Sequence, residues 1–211
     1  MKIPFYKCNS KGNSFIIILG ENTDNFNPNK ITDICNLGDN QKVDGLIFLR
    51  ESKSGDDWIG WPTVLGLGGQ LNSNSDIAIM TYYNNDGSWE TFCLNGTICC
   101  SLILKEEFPY KYNYIKTESE LYAIKVVKNN LVQIELPNPI NMKFDESKSC
   151  WQRGPDKFSP ILIDSFKCYY INSGAKHIVI RSEDNKLFND DLNLEKILKK
   201  IRYNKLFLPD G

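Results

Sequence analysis

The 211-residue chain has a single histidine, His177, and no Cys-x-x-Cys pair among its seven cysteines at 8, 35, 93, 99, 100, 150 and 168. A zinc centre would need several cysteines or carboxylates brought together from distant segments, and no ligand spacing announces one, so no metal is expected. An odd number of cysteines reads as free thiols in a reducing compartment, most of them small buried hydrophobes. A basic excess is missing too: Lys plus Arg total 25 against 26 Asp plus Glu, a formal net charge of -1. Without the positive field that phosphate backbones demand, no nucleic-acid partner is expected. The longest apolar runs, 15–19 and 98–104, fall far short of the roughly 20 residues that span a bilayer, so no membrane span is expected either. Residues 1–7 lack the apolar stretch and small-residue cleavage site of a secretory signal, which points to the cytoplasm.

What remains is a chain with 41% hydrophobic residues, enough to bury a substantial core. Its patterning mixes strand-like and helix-like stretches. Residues 3–19 read as strand, polar loop, strand, with the loop at Asn9-Ser10-Lys11-Gly12-Asn13. A short helix is expected over 31–37, and strands over 46–49, 76–83, 89–93, 122–127, 131–136 and 169–180, with Asn129-Asn130 as a hairpin turn. Residues 51–75, with Trp58, Trp61, Pro62 and the Gly66-x-Gly68-Gly69 run, read as a long loop that could act as a lid. Four prolines between 137 and 160 suggest an irregular connection. The segment from Asn95 to Phe108 is apolar on nearly every side, so a helix there must be wrapped by other structure, and Pro109 stops it. An amphipathic helix over 190–201, capped by Asp190 or Asp191, closes the pattern.

The chemistry concentrates in Asn84-x-Asp86-Gly87-Ser88, then Cys93-Leu94-Asn95-Gly96-x-x-Cys99, where a thiol stands just before a helix. Unpaired backbone N–H groups and the helix dipole there favour the thiolate, so a lowered pKa is expected for Cys93. The same N–H groups could hold a substrate carboxylate, placing an α-carbon beside the sulfur. The bland alternative is a buried strand-end cysteine followed by an ordinary cap.

This passage resembles the diaminopimelate epimerase family of amino-acid racemases and epimerases that work without pyridoxal phosphate, whose pattern is N-x-D-G-S followed by C-G-N-G-x-x-C. Lys11-Gly12-Asn13-Ser14-Phe15 resembles the family's G-N-D-F, Cys35 and Asp44-Gly45-Leu46 fit C-x-R-x-x-G-x-G-A-D-G-L, and 173–179 resembles its G-N-P-H-x-V segment. The resemblance implies an α+β fold in which a mixed sheet wraps around a central buried helix in two similar halves, 1–115 and an incomplete 116–211. It implies an isomerase that inverts the α-carbon of an amino acid in lysine and cell-wall precursor biosynthesis, with no cofactor. One thiolate would remove the α-proton while a second thiol donates from the opposite face. Cys93 would be one of those bases, Asn13, Asn84, Asn95 and Gly96 the substrate contacts, and His177 a pocket-wall residue.

Several positions depart from the family pattern. Leu94 stands for glycine, Ser14 for aspartate, Lys176 for proline, and Leu37, Asn40 and Lys42 for Arg, Gly and Gly, which points away from meso-diaminopimelate as substrate. No second C-G-[ST]-G is found, neither Cys150 nor Cys168 is followed by Gly-x-Gly, and the sequence reads as stopping several dozen residues before the second cysteine. Two rival readings follow: a noncatalytic amino-acid-binding remnant, and a thiol hydrolase pairing Cys93 with His177. A homodimer and a monomer both stay open.

Overall fold

The computed structural model of the chain describes residues 3–20, 26–37, 42–52, 76–109, 111–118, 120–127, 131–145, 150–154, 160–163, 166–181 and 191–207. The proposed lid over 53–75, Asn40, the Asn129-Asn130 turn and the Asp190 cap lie outside those residues. The chain divides into two compact units, 1–136 and 137–211. Strands of residues 116–134 therefore belong with the first unit, because they hydrogen-bond into its sheet.

The first unit runs β1 (Tyr6–Ser10), β2 (Asn13–Leu19), α1 (Pro28–Cys35), β3 (Gly45–Glu51), β4 (Ile77–Asn84), β5 (Trp89–Glu90), α2 (Leu94–Glu107), β6 (Tyr114–Lys116), β7 (Leu121–Val126) and β8 (Val132–Ile134). One mixed sheet has the order β1-β2-β3-β4-β6-β7-β8, with β5 beside β4. The β2/β3 and β4/β6 pairs are parallel and the others antiparallel. Lys11 and Gly12, at φ +54° and +92°, make the two-residue turn between β1 and β2, with Ser10 paired to Asn13. Two consecutive left-handed residues suit the right-handed twist of the flanking strands. This hairpin tip is one wall of the site described below.

Helix α2 touches β1 and β2 toward one end of the sheet, β4 in the middle, and β7 and β8 at the other end, so the sheet curls around it. That explains a helix with no polar face: Gly96, Thr97, Cys99, Cys100, Ser101, Ile103 and Leu104 are all buried. Its hydroxyls are satisfied inside the helix, Thr97 Oγ1 donating to Cys93 O at 2.9 Å and Ser101 Oγ to Thr97 O at 2.7 Å. The C-cap is Phe108, immediately before Pro109, as the sequence pattern requires. Helix α1 begins three residues before the expected 31, because the Asn27 side chain accepts from Lys30 N at 2.9 Å and Pro28 is favourable in the first turn.

The second unit holds β9 (Ile140–Asp145), β10 (Cys150–Arg153), β11 (Ile161–Ile163), β12 (Phe166–Asn172), β13 (Lys176–Arg181) and α3 (Asp191–Arg202). Its sheet is antiparallel, ordered β10-β9-β12-β11 with β13 on β12. Two expectations are corrected. The stretch 169–180 is a hairpin and not one strand, because Ser173 N–H bonds Ala175 O at 3.0 Å and Gly174 N–H bonds Asn172 Oδ1 at 3.0 Å, turning the chain. Residues 137–160 are not an irregular connection throughout, since β9 and β10 pair there, with Pro137, Pro139 and Pro160 outside the strands. Ile201 and Phe207 pack with Ile163, Cys168 and Tyr170 to form this unit's core.

In the first unit the core beneath α2 is Phe15, Ile17, Ile47, Leu49, Ala78, Met80, Tyr82, Cys99, Cys100, Ile103, Leu104, Ile115 and Ile124. Ile47 is fully enclosed at the point where α2 begins, whereas Leu131 is 65% exposed. Ile47→Ala is expected to cost about 2–5 kcal/mol in urea unfolding, through lost burial and an unfilled cavity. Leu131→Ala is expected to stay within about 0.5 kcal/mol of the parent chain.

Candidate active site

Cys93 is the N-cap of α2, with extended backbone at φ -141° and ψ 106°, and its Sγ accepts from Gly96 N–H at 3.4 Å. The Tyr82 hydroxyl and the Asn95 N–H also favour a thiolate at this sulfur. The thiol thus takes the capping place that a Ser or Asp side chain usually fills. Gly96 is needed for this: a Cβ there would lie 2.8 Å from Ile47 Cδ1, 3.1 Å from Met80 Cε and 3.4 Å from Cys93 Sγ. Only a residue without a side chain lets the first turn of α2 sit this close to β3 and β4.

The expected lowering of the Cys93 pKa is corrected. Burial pushes this thiol above its ordinary value, against the opposing pull of the Gly96 N–H, the Tyr82 hydroxyl and the Asn95 N–H, while the Asp44 carboxylate raises it a little further. Desolvation of a thiolate outweighs three hydrogen bonds to it. Leading N–H groups of the helix are spent on the sulfur itself, a use that the sequence reading assigned to a substrate carboxylate.

The structure brings the predicted asparagines to the same place. Asn95 Nδ2 donates to Asn13 Oδ1 at 2.7 Å, joining the start of α2 to the β1–β2 hairpin tip, and Ser10 Oγ reaches Asn95 Oδ1 at 3.5 Å. Asn84, at the end of β4, accepts from the Tyr82 hydroxyl at 2.7 Å through Oδ1. Its Nδ2 faces Ser88 Oγ at 3.0 Å and Glu90 Oε1 at 3.3 Å. Asp86 holds the turn that follows, accepting from Ser88 N–H at 2.9 Å and Ser88 Oγ at 2.6 Å. Cys93, Asn13, Asn84 and Asn95 are each half-buried, so polar atoms surround the sulfur without sealing it off. Asp44 anchors the hairpin from behind, its Oδ2 accepting from Ser14 N–H at 2.7 Å and Ser14 Oγ at 3.3 Å.

Tyr82 and Ser10 were missed in the sequence. The signal for Tyr82 was available: period-two alternation along β4 puts Met80, Tyr82 and Asn84 on one face, the face that meets α2. Leu94, in place of the expected glycine, is 39% exposed at the first helical position. His177 is exposed on β13, opposite Ile171 on β12, in the second unit. Cys168 is fully enclosed in the core of that unit, and burial raises its pKa.

No family profile matches the chain. Individual relatives do. A diaminopimelate epimerase of Hydrogenobaculum is 24% identical over 219 residues, covering 97% of this chain and 66% of the relative. One of Pelagibacter ubique is 27% identical, covering 98% and 68%, and one of Archaeoglobus fulgidus 22%, covering 100% and 68%. Over nearly its whole length the chain is similar to diaminopimelate epimerases, at 22–27% identity. It spans about two thirds of the length of these epimerases, and 58% of a Chlamydia trachomatis relative.

Cys93 does not stand alone among the thiols of α2. Cys99 and Cys100 are fully enclosed beneath it, and burial raises both thiols, with neighbouring sulfurs adding to the effect. Groups whose folded pKa is raised stabilise the fold while protonated, and that stability is lost as pH rises from the unfolded thiol value toward the folded one. Urea unfolding at about pH 9.5 is therefore expected to give a lower free energy than at about pH 7.5, by about 1 kcal/mol for each thiol kept protonated. Cys100→Ala should shrink that pH-dependent difference, and an unchanged difference would show that Cys100 has no part in it.

Proposed function

We propose that this chain acts on the α-carbon of an amino acid as a racemase or epimerase of the diaminopimelate epimerase type, with Cys93 as an acid/base thiol and no cofactor. The observation that carries the reading is the placement of Cys93: a half-buried sulfur on the first turn of a buried helix, facing donors from Gly96, Asn95 and Tyr82. The similarity of the chain to diaminopimelate epimerases supports it.

The chemistry fits a thiol of raised pKa. The α-hydrogen of an amino acid is very weakly acidic, so a base that is itself reluctant to stay ionised narrows the gap that proton transfer must cross. Amide and hydroxyl donors fixed at the sulfur keep the thiolate accessible without solvent reorganisation. Asn13, Asn84 and Asn95 would hold the substrate's ammonium and carboxylate groups, orienting the Cα–H bond toward Sγ. The α-proton passes to the sulfur, and the electron pair left on carbon delocalises into the carboxylate. Return of a solvent-derived proton by the same thiol gives exchange with retention, whereas inversion needs an acid on the opposite face. In the family architecture that acid is a second thiol in a similar second half. A cytoplasmic place in lysine and cell-wall precursor synthesis belongs to the same proposal.

Exchange of the α-hydrogen tests Cys93 independently of the second acid. In deuterium oxide, with meso-diaminopimelate and a panel of free amino acids as probes, the chain is expected to wash deuterium into the α-position of at least one of them. Cys93→Ala is expected to slow that exchange by at least about 100-fold. Exchange that survives the substitution removes Cys93 from the mechanism, and calorimetric binding without any exchange by the parent chain favours a binding protein over an isomerase.

A further inference from the structure

Tyr82 sits between the thiol and one of the asparagines, and the sequence motifs give it no task. Its ring is fixed: it is 8% exposed, meets Phe15 edge-on at 6.1 Å and 75°, and lies so close to Gly45 that a Cβ at 45 would overlap its Cε2 atom. With the ring immobile, the remaining freedom is rotation of the hydroxyl hydrogen about the C–O bond. That single hydrogen has two acceptors within reach, Asn84 Oδ1 at 2.7 Å and the Cys93 sulfur. A phenol donates only once at a time.

We propose that Tyr82 is a positioning residue for Cys93, whose hydroxyl donates to Asn84 Oδ1 while the sulfur carries its proton and turns to the sulfur when that proton has left. In the first state S–H can donate to the phenol oxygen, and the phenol donates to Asn84. In the second the phenol donates to the thiolate, and Asn84 Oδ1 is released to accept from an ammonium group of the substrate. No bond to Tyr82 is made or broken, since the hydroxyl keeps its proton throughout and the proton exchanged at sulfur is the thiol's own. Burial holds the phenol well above its ordinary pKa, with Cys93, Glu90 and Asp44 adding to the effect, so it stays protonated while the thiol titrates. The other titratable groups coupled to Cys93 are Asp44, Cys99 and Cys100. Asp44 disfavours the thiolate, which leaves Tyr82 as the side-chain donor that offsets it. This inference rests on the acid/base reading of Cys93 for its purpose, but the coupling it describes exists without substrate.

The test is alkylation by iodoacetamide across about pH 7 to 11, read on the Cys93 peptide by mass spectrometry in the full chain. Tyr82→Phe keeps the ring and is expected to raise the midpoint by about one pH unit, a tenfold loss of thiolate at a given pH below it. Asn84→Ala removes the competing acceptor and is expected to lower the midpoint. Phe15→Leu loosens the same ring without touching the hydroxyl and is expected to leave the midpoint in place. An unmoved or lowered midpoint in Tyr82→Phe, a raised one in Asn84→Ala, or an equal rise in Phe15→Leu overturns the proposal. Deuterium exchange in Cys93→Ala decides the acid/base reading separately, because the alkylation series contains no amino acid.

Discussion

The close seating of the first turn of α2 on β3 and β4 is the constraint on which the rest of the first unit depends. A helix with no polar face has to be enclosed, and enclosure requires a sheet that reaches it from both ends. Gly96 sets the approach distance, since any Cβ there would run into Ile47 and Met80. The leading N–H groups of the helix have no partner within the helix itself, and partners must come from elsewhere. The Cys93 sulfur is the partner that the chain supplies. Packing and chemistry are thus settled by the same few atoms.

Two opposed effects meet at that sulfur. Helix N-termini stabilise anions, and the same enclosure that makes the amides available strips solvent from the thiolate. Here desolvation is the larger of the two, with Asp44 on the same side. A thiol activated only by a helix dipole at an exposed surface would be a good nucleophile and a poor base toward a Cα–H bond. One held upward by burial, yet still furnished with three donors, is better matched to proton transfer. The balance also explains why a second hydroxyl-bearing side chain matters at this position, since backbone amides alone do not offset the burial.

Much of this was legible from residue order, and the failures have physical causes. The apolar run from Ile98 to Leu104 required an enclosing sheet, and the run together with Pro109 fixed the helix closely. The resemblance grouped Asn13, Asn84, Cys93 and Asn95, and in the structure Asn95 donates to Asn13 while Asn84 accepts from Tyr82. What composition and motif could not supply was the sign of the Cys93 shift, because burial depends on how deep α2 sits and no local pattern states that depth. The hairpin at 173–175 was read through as strand because Ser-Gly-Ala interrupts an otherwise continuous run of β-forming residues. Strands β9 and β10 were hidden by prolines that turn out to flank them. Tyr82 went unnoticed since attention fell on the polar motif two residues later, although strand alternation placed its side chain on the helix-facing side.

The way the site is built depends on few side chains, which matters in a chain only 22–27% identical to the epimerases it resembles. Backbone N–H groups of the α2 start hold the sulfur, and any residue other than proline supplies those, so Leu94 can occupy the first helical position with its side chain turned partly to solvent. The β1–β2 tip presents Asn13 through a two-residue turn whose geometry is set by backbone twist. Ser14 supports that tip through its own N–H and hydroxyl on Asp44, so an aspartate is not needed at 14 for the hairpin to stay anchored. Few side chains are then strictly required: a sulfur, a glycine beneath it, three asparagines and the carboxylate behind the hairpin. The side chains on the rest of the surface do not bear on how the sulfur is held.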